Sequence, residues 1–143
     1  MKANLQIRLL GMAAAAVLVA GCAGMGMGGD TARVSLTGAE QNPPVTTSAS
    51  GQGSFTVSSD RTITGSVTTT GVNGTAAHIH TGARGSNGPV TIPLTKTGDN
   101  VWSVPPGTKL TDAQYEAYKS GGLYVNVHSA QHKPGEIRAQ IRP

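Results

Sequence analysis

The sequence has little of three things: cysteine, aromatic residues and charge. One cysteine, Cys22, among 143 residues excludes an internal disulfide, so packing or a ligand must stabilise the fold. Aromatic side chains make up only 3% of the chain and charged side chains only 13%. No run of Lys and Arg interleaved with aromatic residues occurs, and we therefore expect no nucleic-acid partner.

Sequence signatures of common catalytic sites are also missing. No Gly-x-Ser-x-Gly elbow is present. The glycine-rich stretch 82–88 is not followed by the Lys-Ser/Thr pair of a phosphate-binding loop, so we interpret it as a long turn. We predict no catalytic residues and a protein that is not an enzyme.

The N-terminus resembles the export signal of a bacterial lipoprotein. Lys2 and Arg8 accompany an apolar run over 9–20, and the segment ends in Val-Ala-Gly-Cys. This order predicts a cleaved signal peptide and lipidation of Cys22. The apolar run is too short to span a membrane as a permanent helix. The lipid would anchor the chain in the bacterial cell envelope. Ala23, rather than an aspartate, follows the cysteine and favours the outer membrane, with the domain facing the periplasm.

The chain therefore divides into three predicted parts. These are a signal peptide over 1–21, a flexible tether rich in Gly and Met over 22–31, and a single domain over 32–143. Removal of the signal peptide takes two basic residues with it, and the formal net charge falls from +4 to +2.

The sequence of the domain predicts short strands separated by turns. It is rich in Thr, Ser, Val and Gly, and apolar residues alternate with polar ones. One helix is predicted after Thr111, which has the spacing of a capping box with Gln114, and Gly121 would end it. About eight strands and one short helix predict an all-β fold, an antiparallel β-sandwich with Greek-key connections.

Three of the predicted strands each carry one apolar and one polar face. Side chains two residues apart in a strand point to the same side, so each apolar set would face the core. The polar sets would then share the opposite side: His78 and His80 on one strand, Tyr124, Asn126 and His128 on the next, and Glu136, Arg138 and Gln140 on the last.

Five motifs in order carry a family resemblance. They are TGAEQNPP from residue 37, AHIHTG, GPVTIPL, GGLYVNVHS and PGEIRAQI. Together they resemble the CHRD domain, a module named after chordin, over about residues 32–142. The resemblance implies an immunoglobulin-like β-sandwich used outside the cytoplasm, and it implies no reaction.

The histidines support a first hypothesis, a metal site. His78 and His80 form a His-x-His pair, and His128 would join them from a strand of the same phase. Neutral imidazole nitrogen suits copper and zinc, and a sheet fixes the directions of the side chains. His132 or Glu136 would supply a fourth ligand or orient the others.

A second hypothesis needs no metal. The same histidines would hydrogen-bond to Asn126, Glu136 and Arg138 in a polar network that fixes strand register and loop geometry. The domain would then act as a structural or interaction module for a protein or glycan partner. The turns at 82–89 and 130–135 would form its contact surface.

Overall fold

The computed structural model describes residues 28–143, so the predicted signal peptide and Cys22 lie outside the described residues. The described part contains a 3-10 turn at Gly38–Glu40, one helix, α1, at Asp112–Lys119, and nine strands. The strands are β1 (Asp30–Thr37), β2 (Ser50–Val57), β3 (Ile63–Thr70), β4 (Gly74–Thr81), β5 (Val90–Pro93), β6 (Thr95–Gly98), β7 (Val101–Ser103), β8 (Leu123–Ser129) and β9 (Ile137–Ile141). Within these residues, no helix has the length and apolarity needed to cross a membrane.

The strands form one antiparallel sheet in the order β5-β4-β8-β9-β1-β2-β3-β7-β6. Its two edge strands, β5 and β6, are separated in the chain by Leu94 alone, so the two edges must lie close together. The Leu94 backbone N–H donates to the Ala77 carbonyl on β4. The sheet is consequently nearly closed into a barrel.

The all-β class with a single short helix is confirmed, and the sandwich is an approximate description of this wrapped sheet. The difference arises at the segment 90–96, which the alternation predicts as one strand. It divides at Leu94 because its first half pairs with β4 and its second half pairs with β7.

The alternating pattern fills the interior with apolar side chains. On β1 the buried residues are Ala32, Val34 and Leu36, with exposed residues between them. The interior-facing members of the other strands are equally buried; those with no exposure include Phe55, Ile63, Val67, Ile79, Val125, Val127 and Ile137. Burial of such side chains contributes about 1.5–3 kcal/mol each and holds the sheet in its register.

Helix α1 begins at the predicted cap. The Thr111 hydroxyl accepts from the Gln114 backbone N–H at 3.2 Å, and the Gln114 side chain accepts from the Thr111 backbone N–H at 2.9 Å. Both bonds of the capping box are therefore made. Gly121, with φ of 72°, follows the helix in a conformation that favours glycine. Tyr118 is buried and fixes the helix against the core.

Candidate functional site

The outward faces of β4, β8 and β9 form a polar layer that is nevertheless buried. Tyr124, Asn126 and Arg138 are each no more than 3% exposed. The turn at 82–88 covers them from one side, since Arg138 donates to its carbonyls, and the loop at 130–135 covers them from another. This layer contains the residues that the sequence assigns to the polar face.

Strand register brings three histidines together within this layer. On the β4–β8 pair, His78 lies opposite Asn126 and Ala76 lies opposite His128, so His78 and His128 are diagonal neighbours on one face. Their facing nitrogens, His78 Nδ1 and His128 Nε2, are 3.0 Å apart. One ring nitrogen from each of His78, His80 and His128 can be chosen so that all three lie within 4.8 Å of one another.

Backbone carbonyls fix which nitrogen of two of these rings carries the proton. His128 Nδ1 lies 2.7 Å from the Lys133 carbonyl and His80 Nδ1 lies 2.9 Å from the Gly88 carbonyl. A carbonyl only accepts, so both Nδ1 atoms donate and the Nε2 atoms of the neutral rings carry lone pairs. Histidines that bind metals are commonly held in this way by a carbonyl behind the ring.

The Asn126 amide completes the surroundings of His80. The Asn126 Oδ1 lies 3.0 Å from His80 Nε2. Both atoms are acceptors when the neutral His80 ring carries its proton on Nδ1, so Nε2 needs a donor in place of this oxygen. Rotating the amide by 180° exchanges its oxygen and nitrogen and supplies that donor, with loss of a long 3.4 Å bond to the Pro134 carbonyl. The rotated amide therefore matches the neutral form of His80.

A second buried amide packs against Gly135. Gln41 Nε2 is the one buried side-chain nitrogen or oxygen among residues 28–143 that has no hydrogen-bond partner. A Cβ atom built on Gly135 would lie 2.5 Å from Gln41 Nε2 and 2.7 Å from Asn126 Nδ2, so both amides pack closely against this glycine. Sequence reasoning missed Gln41 because nothing in its spacing relates it to the histidines.

The local electrostatics favour the neutral forms of His78 and His80. Burial lowers the pKa of His78 below its usual 6.5, and the neighbouring His128 and His80 lower it further. Burial also lowers the pKa of His80, against the opposing effect of its bonds to Gly88 and Asn126. Neutral imidazole is the form that binds a metal ion.

A stack of three side chains supports the layer from within. The His80 ring lies parallel to the Tyr124 ring, with centroids 4.7 Å apart, and the Arg138 Cζ lies 3.4 Å from the Tyr124 centroid. Because β8 runs between β4 and β9, the histidine and the arginine approach the tyrosine from its two neighbouring strands. The guanidinium then reaches the turn, where Nη2 donates to the Ala83 carbonyl at 3.1 Å and to the Ser86 carbonyl at 2.9 Å.

The structure does not bring the proposed fourth ligands into the cluster. Among the described residues, the group close enough to hold an ion consists of His78, His80 and His128. Glu136 instead accepts from the Thr47 hydroxyl at 2.7 Å. Burial raises the Glu136 pKa, but the hydroxyls of Ser129 and Thr47 outweigh this effect and hold the pKa below its ordinary value.

The predicted polar network is partly present. The His80–Asn126 contact is made, whereas Arg138 contacts the 82–88 turn and Glu136 contacts Thr47. His132 lines a separate cavity with Gln41 and Gly135. The orienting carbonyls of Gly88 and Lys133 could not be foreseen, because a backbone acceptor leaves no trace in residue type.

The fold and the site together define a class: an all-β domain in which two loop segments cover a polar layer that contains clustered histidines. A family model described as "CHRD domain" matches residues 32–141. The chain therefore belongs to the CHRD family, as the five motifs indicate. No curated protein and no solved structure matches the chain. The family is not a known enzyme family, and membership supports a binding module.

Proposed function

We propose that this protein is a lipid-anchored, extracytoplasmic binding module that captures copper or zinc through His78, His80 and His128. The observation that carries the proposal is the convergence of three imidazole nitrogens within 4.8 Å. Two of the rings have Nδ1 held by a backbone carbonyl, which leaves Nε2 as the ligand atom of each; on His80 the ion would replace the Asn126 amide at that nitrogen. The donor set is all nitrogen, which suits Cu and Zn.

The distances support binding with small side-chain adjustments. Two nitrogens that bind one ion at about 2.0–2.1 Å in tetrahedral geometry lie roughly 3.4 Å apart. The His78–His128 pair at 3.0 Å is slightly closer than this, and the widest separation in the cluster is 4.8 Å. Rotation of the half-buried His78 and His128 rings would close the difference. An ion bound at His78 Nδ1 would take the place of the proton shared with His128, and that proton would move to His78 Nε2 as the ring changes tautomer.

Three protein ligands leave one coordination position of a tetrahedral ion open. Water or a group from a partner would fill it, since neither His132 nor Glu136 belongs to the cluster. A site of this kind stores or transfers an ion more readily than a closed four-ligand site does. A copper or zinc buffer in the periplasm is the corresponding role.

The test is a titration of the mature chain from residue 22, with Cys22→Ser to prevent lipidation. Cu(I), Cu(II) and Zn are each titrated against the parent, His78→Ala and His128→Ala, with His132→Ala as the matched control. We expect one ion per chain at pH 7, loss of at least about tenfold in affinity in the two cluster variants, and no change in the control. Stoichiometric binding that survives both cluster substitutions would refute the site.

Protonation provides an independent check on the ligands. Because the pKa values of His78 and His80 lie below 6.5, we expect affinity to hold at pH 7 and to fall only as the pH drops below that value. Affinity that is constant from pH 7 to pH 4.5 would exclude imidazole ligands.

The anchor has a separate test. We expect the protein extracted from bacterial envelopes to carry acyl groups on Cys22, detectable as added mass on the N-terminal peptide, and Cys22→Ser to release the domain from the membrane. An unmodified cysteine on a membrane-free protein would contradict the anchor and leave the metal titration unaffected.

A second candidate function is recognition of a protein or glycan partner through the loops. A cavity of about 250 Å³ lies where the two turns meet: Asn87 comes from one, and Gln131, His132 and Pro134 come from the other. A photo-crosslinking residue in place of Gln131 should give a discrete adduct in cells, while one in place of the exposed Asp99 should not. The same adducts at both positions would contradict recognition of a partner through the loops. Absence of metal binding in the titration would favour it.

A further inference from the structure

A groove on the outer surface of β1 and β9 is lined by three arginines. Arg33 comes from β1, Arg142 follows the end of β9, and Arg84 comes from the 82–88 turn; the groove has a volume of about 420 Å³. Its one acidic lining residue, Glu40, is engaged by Arg84 through both carboxylate oxygens. A second groove of about 370 Å³ continues past Arg84 and Arg142 to Lys119.

Two of these arginines have no acidic partner. Arg33 on β1 and Arg142 just past the end of β9 line the same groove. Both are exposed, and within residues 28–143 neither guanidinium takes part in an ion pair or a side-chain hydrogen bond. Like charges on one surface repel each other, so an anion bound in the groove would relieve the repulsion.

This lack of neutralisation distinguishes the groove from most of the described surface. Outside this groove three basic residues each have an acidic partner: Arg61 with Asp112, Lys109 with Asp60 and Lys119 with Glu116; within it only Arg84 has one, Glu40. The remaining exposed cations without such a partner, Lys96 and Lys133, lie on β6 and in the 130–135 loop, away from this groove. The groove is thus a local excess of positive charge on a domain of small net charge.

The groove lies near the end of the domain's connection to the lipid anchor. Seven residues lie between Cys22 and Asp30, the first residue of β1, and the eight steps from one Cα atom to the other reach at most about 29 Å when fully extended. Arg33 is three residues further along the strand, roughly 10 Å. If Cys22 carries the lipid, as proposed above, the groove cannot move far from the headgroup region of the membrane.

We propose that this groove binds the phosphate of an anionic phospholipid headgroup and holds the domain against the membrane surface. Arginine presents paired donors that match phosphate oxygens, and Arg33 and Arg142 have these donors unused. The hydroxyls of Ser35 and Thr37 line the same groove and add neutral donors. The inference rests on the proposed anchor for proximity, although the groove's affinity for the headgroup does not depend on the anchor.

The experiment measures vesicle binding by the mature chain with Cys22→Ser, which has no lipid of its own. Vesicles of phosphatidylcholine alone and vesicles containing phosphatidylglycerol are sedimented with the parent, with Arg33→Gln/Arg142→Gln, and with Lys96→Gln/Lys133→Gln. The two double variants have the same net charge, so they separate a local site from general attraction.

We expect binding to the phosphatidylglycerol vesicles and much weaker binding to phosphatidylcholine. The arginine variant should lose roughly 25-fold in partitioning, about fivefold for each charge, and the lysine variant less than about twofold. Equal losses in the two variants, or equal binding to both kinds of vesicle, would overturn the proposal. Thermal melting of each variant shows that it is folded. Acylation of Cys22 is measured separately, by the mass of the N-terminal peptide. An unacylated cysteine therefore contradicts the anchor alone, and a failed sedimentation experiment contradicts the groove alone.

Discussion

Arg138 should be the most consequential polar residue of the domain, and Arg138→Met tests this. Its side chain is 1% exposed, and it makes three hydrogen bonds to the 82–88 turn, to the carbonyls of Ala83 and Ser86 and to the Asn87 side chain at 3.3 Å. Burial lowers the pKa of Arg138, which reflects the unfavourable removal of the charge from water.

The size of the effect follows from these opposing contributions. Hydrogen bonds to a charged group contribute about 1.5–3 kcal/mol each, so three contribute roughly 6 kcal/mol. Desolvation of the guanidinium offsets several kcal/mol of this. We expect Arg138→Met to lower the free energy of unfolding by about 3 kcal/mol, which for a domain of this size lowers Tm by roughly 12 °C.

The measurement is urea unfolding followed by circular dichroism, combined with hydrogen exchange of the backbone amides at 82–88. Exchange in that turn should rise, because Arg138 no longer holds it to the sheet. Arg142→Met, four residues further along the chain and exposed, is the control and should change the unfolding free energy by less than about 0.5 kcal/mol. A loss below 1 kcal/mol for Arg138→Met, with unchanged exchange, would refute the reasoning.

Three further predictions concern backbone, helix and pH. Gly65→Ala should lower unfolding free energy by more than about 3 kcal/mol in urea titrations, since Gly65 has φ of 142° and a Cβ would press on the backbone of the adjacent strand. Thr111→Ala, which removes the acceptor of the Gln114 N–H, should lower it by about 1 kcal/mol with loss confined to helical ellipticity and amide protection in α1. Because His78 and His80 have folded pKa values below 6.5, the unfolded chain takes up protons first as the pH falls. Metal-free stability should therefore be complete above about pH 7 and decline below 6.5. A midpoint of urea unfolding that increases as the pH is lowered from 7.5 to 5 would contradict the last prediction.

Local patterns predicted much of the fold. Strand alternation identified the buried faces of β1, β4, β8 and β9, and the Thr111–Gln114 spacing located the helix start. Both signals are local, because side-chain direction in a strand and capping of a helix depend on residues no more than a few positions apart in the sequence. The break at Leu94 escaped prediction since it depends on which distant strands each half pairs with.

The site was predicted less completely. The His-x-His spacing places His78 and His80 on one face, but only the register of β4 with β8 makes His128 a diagonal neighbour. The sequence also gave no sign that outward polar residues would be buried, because their burial depends on where the turn at 82–88 and the loop at 130–135 lie. Register and loop placement arise from tertiary packing, which a single sequence does not display.

The charge around the cluster should select among ions. Its three histidines would offer an ion nitrogen atoms and no carboxylate, which disfavours Ca²⁺ and Mg²⁺ because these ions require oxygen. The Arg138 guanidinium lies beyond the Tyr124 ring, about 8 Å from the His80 centroid if the 4.7 Å and 3.4 Å separations lie in line. At an effective dielectric constant of about 20, the guanidinium repels a singly charged cation at that distance by about 2 kcal/mol. A divalent ion meets twice the repulsion of a monovalent one, so Arg138 disfavours Zn relative to Cu(I), and Arg138→Met should raise the affinity for Zn more than that for Cu(I) in titrations of the folded variant at pH 7. Equal changes in the two affinities would show that Arg138 does not act on the ion in this way.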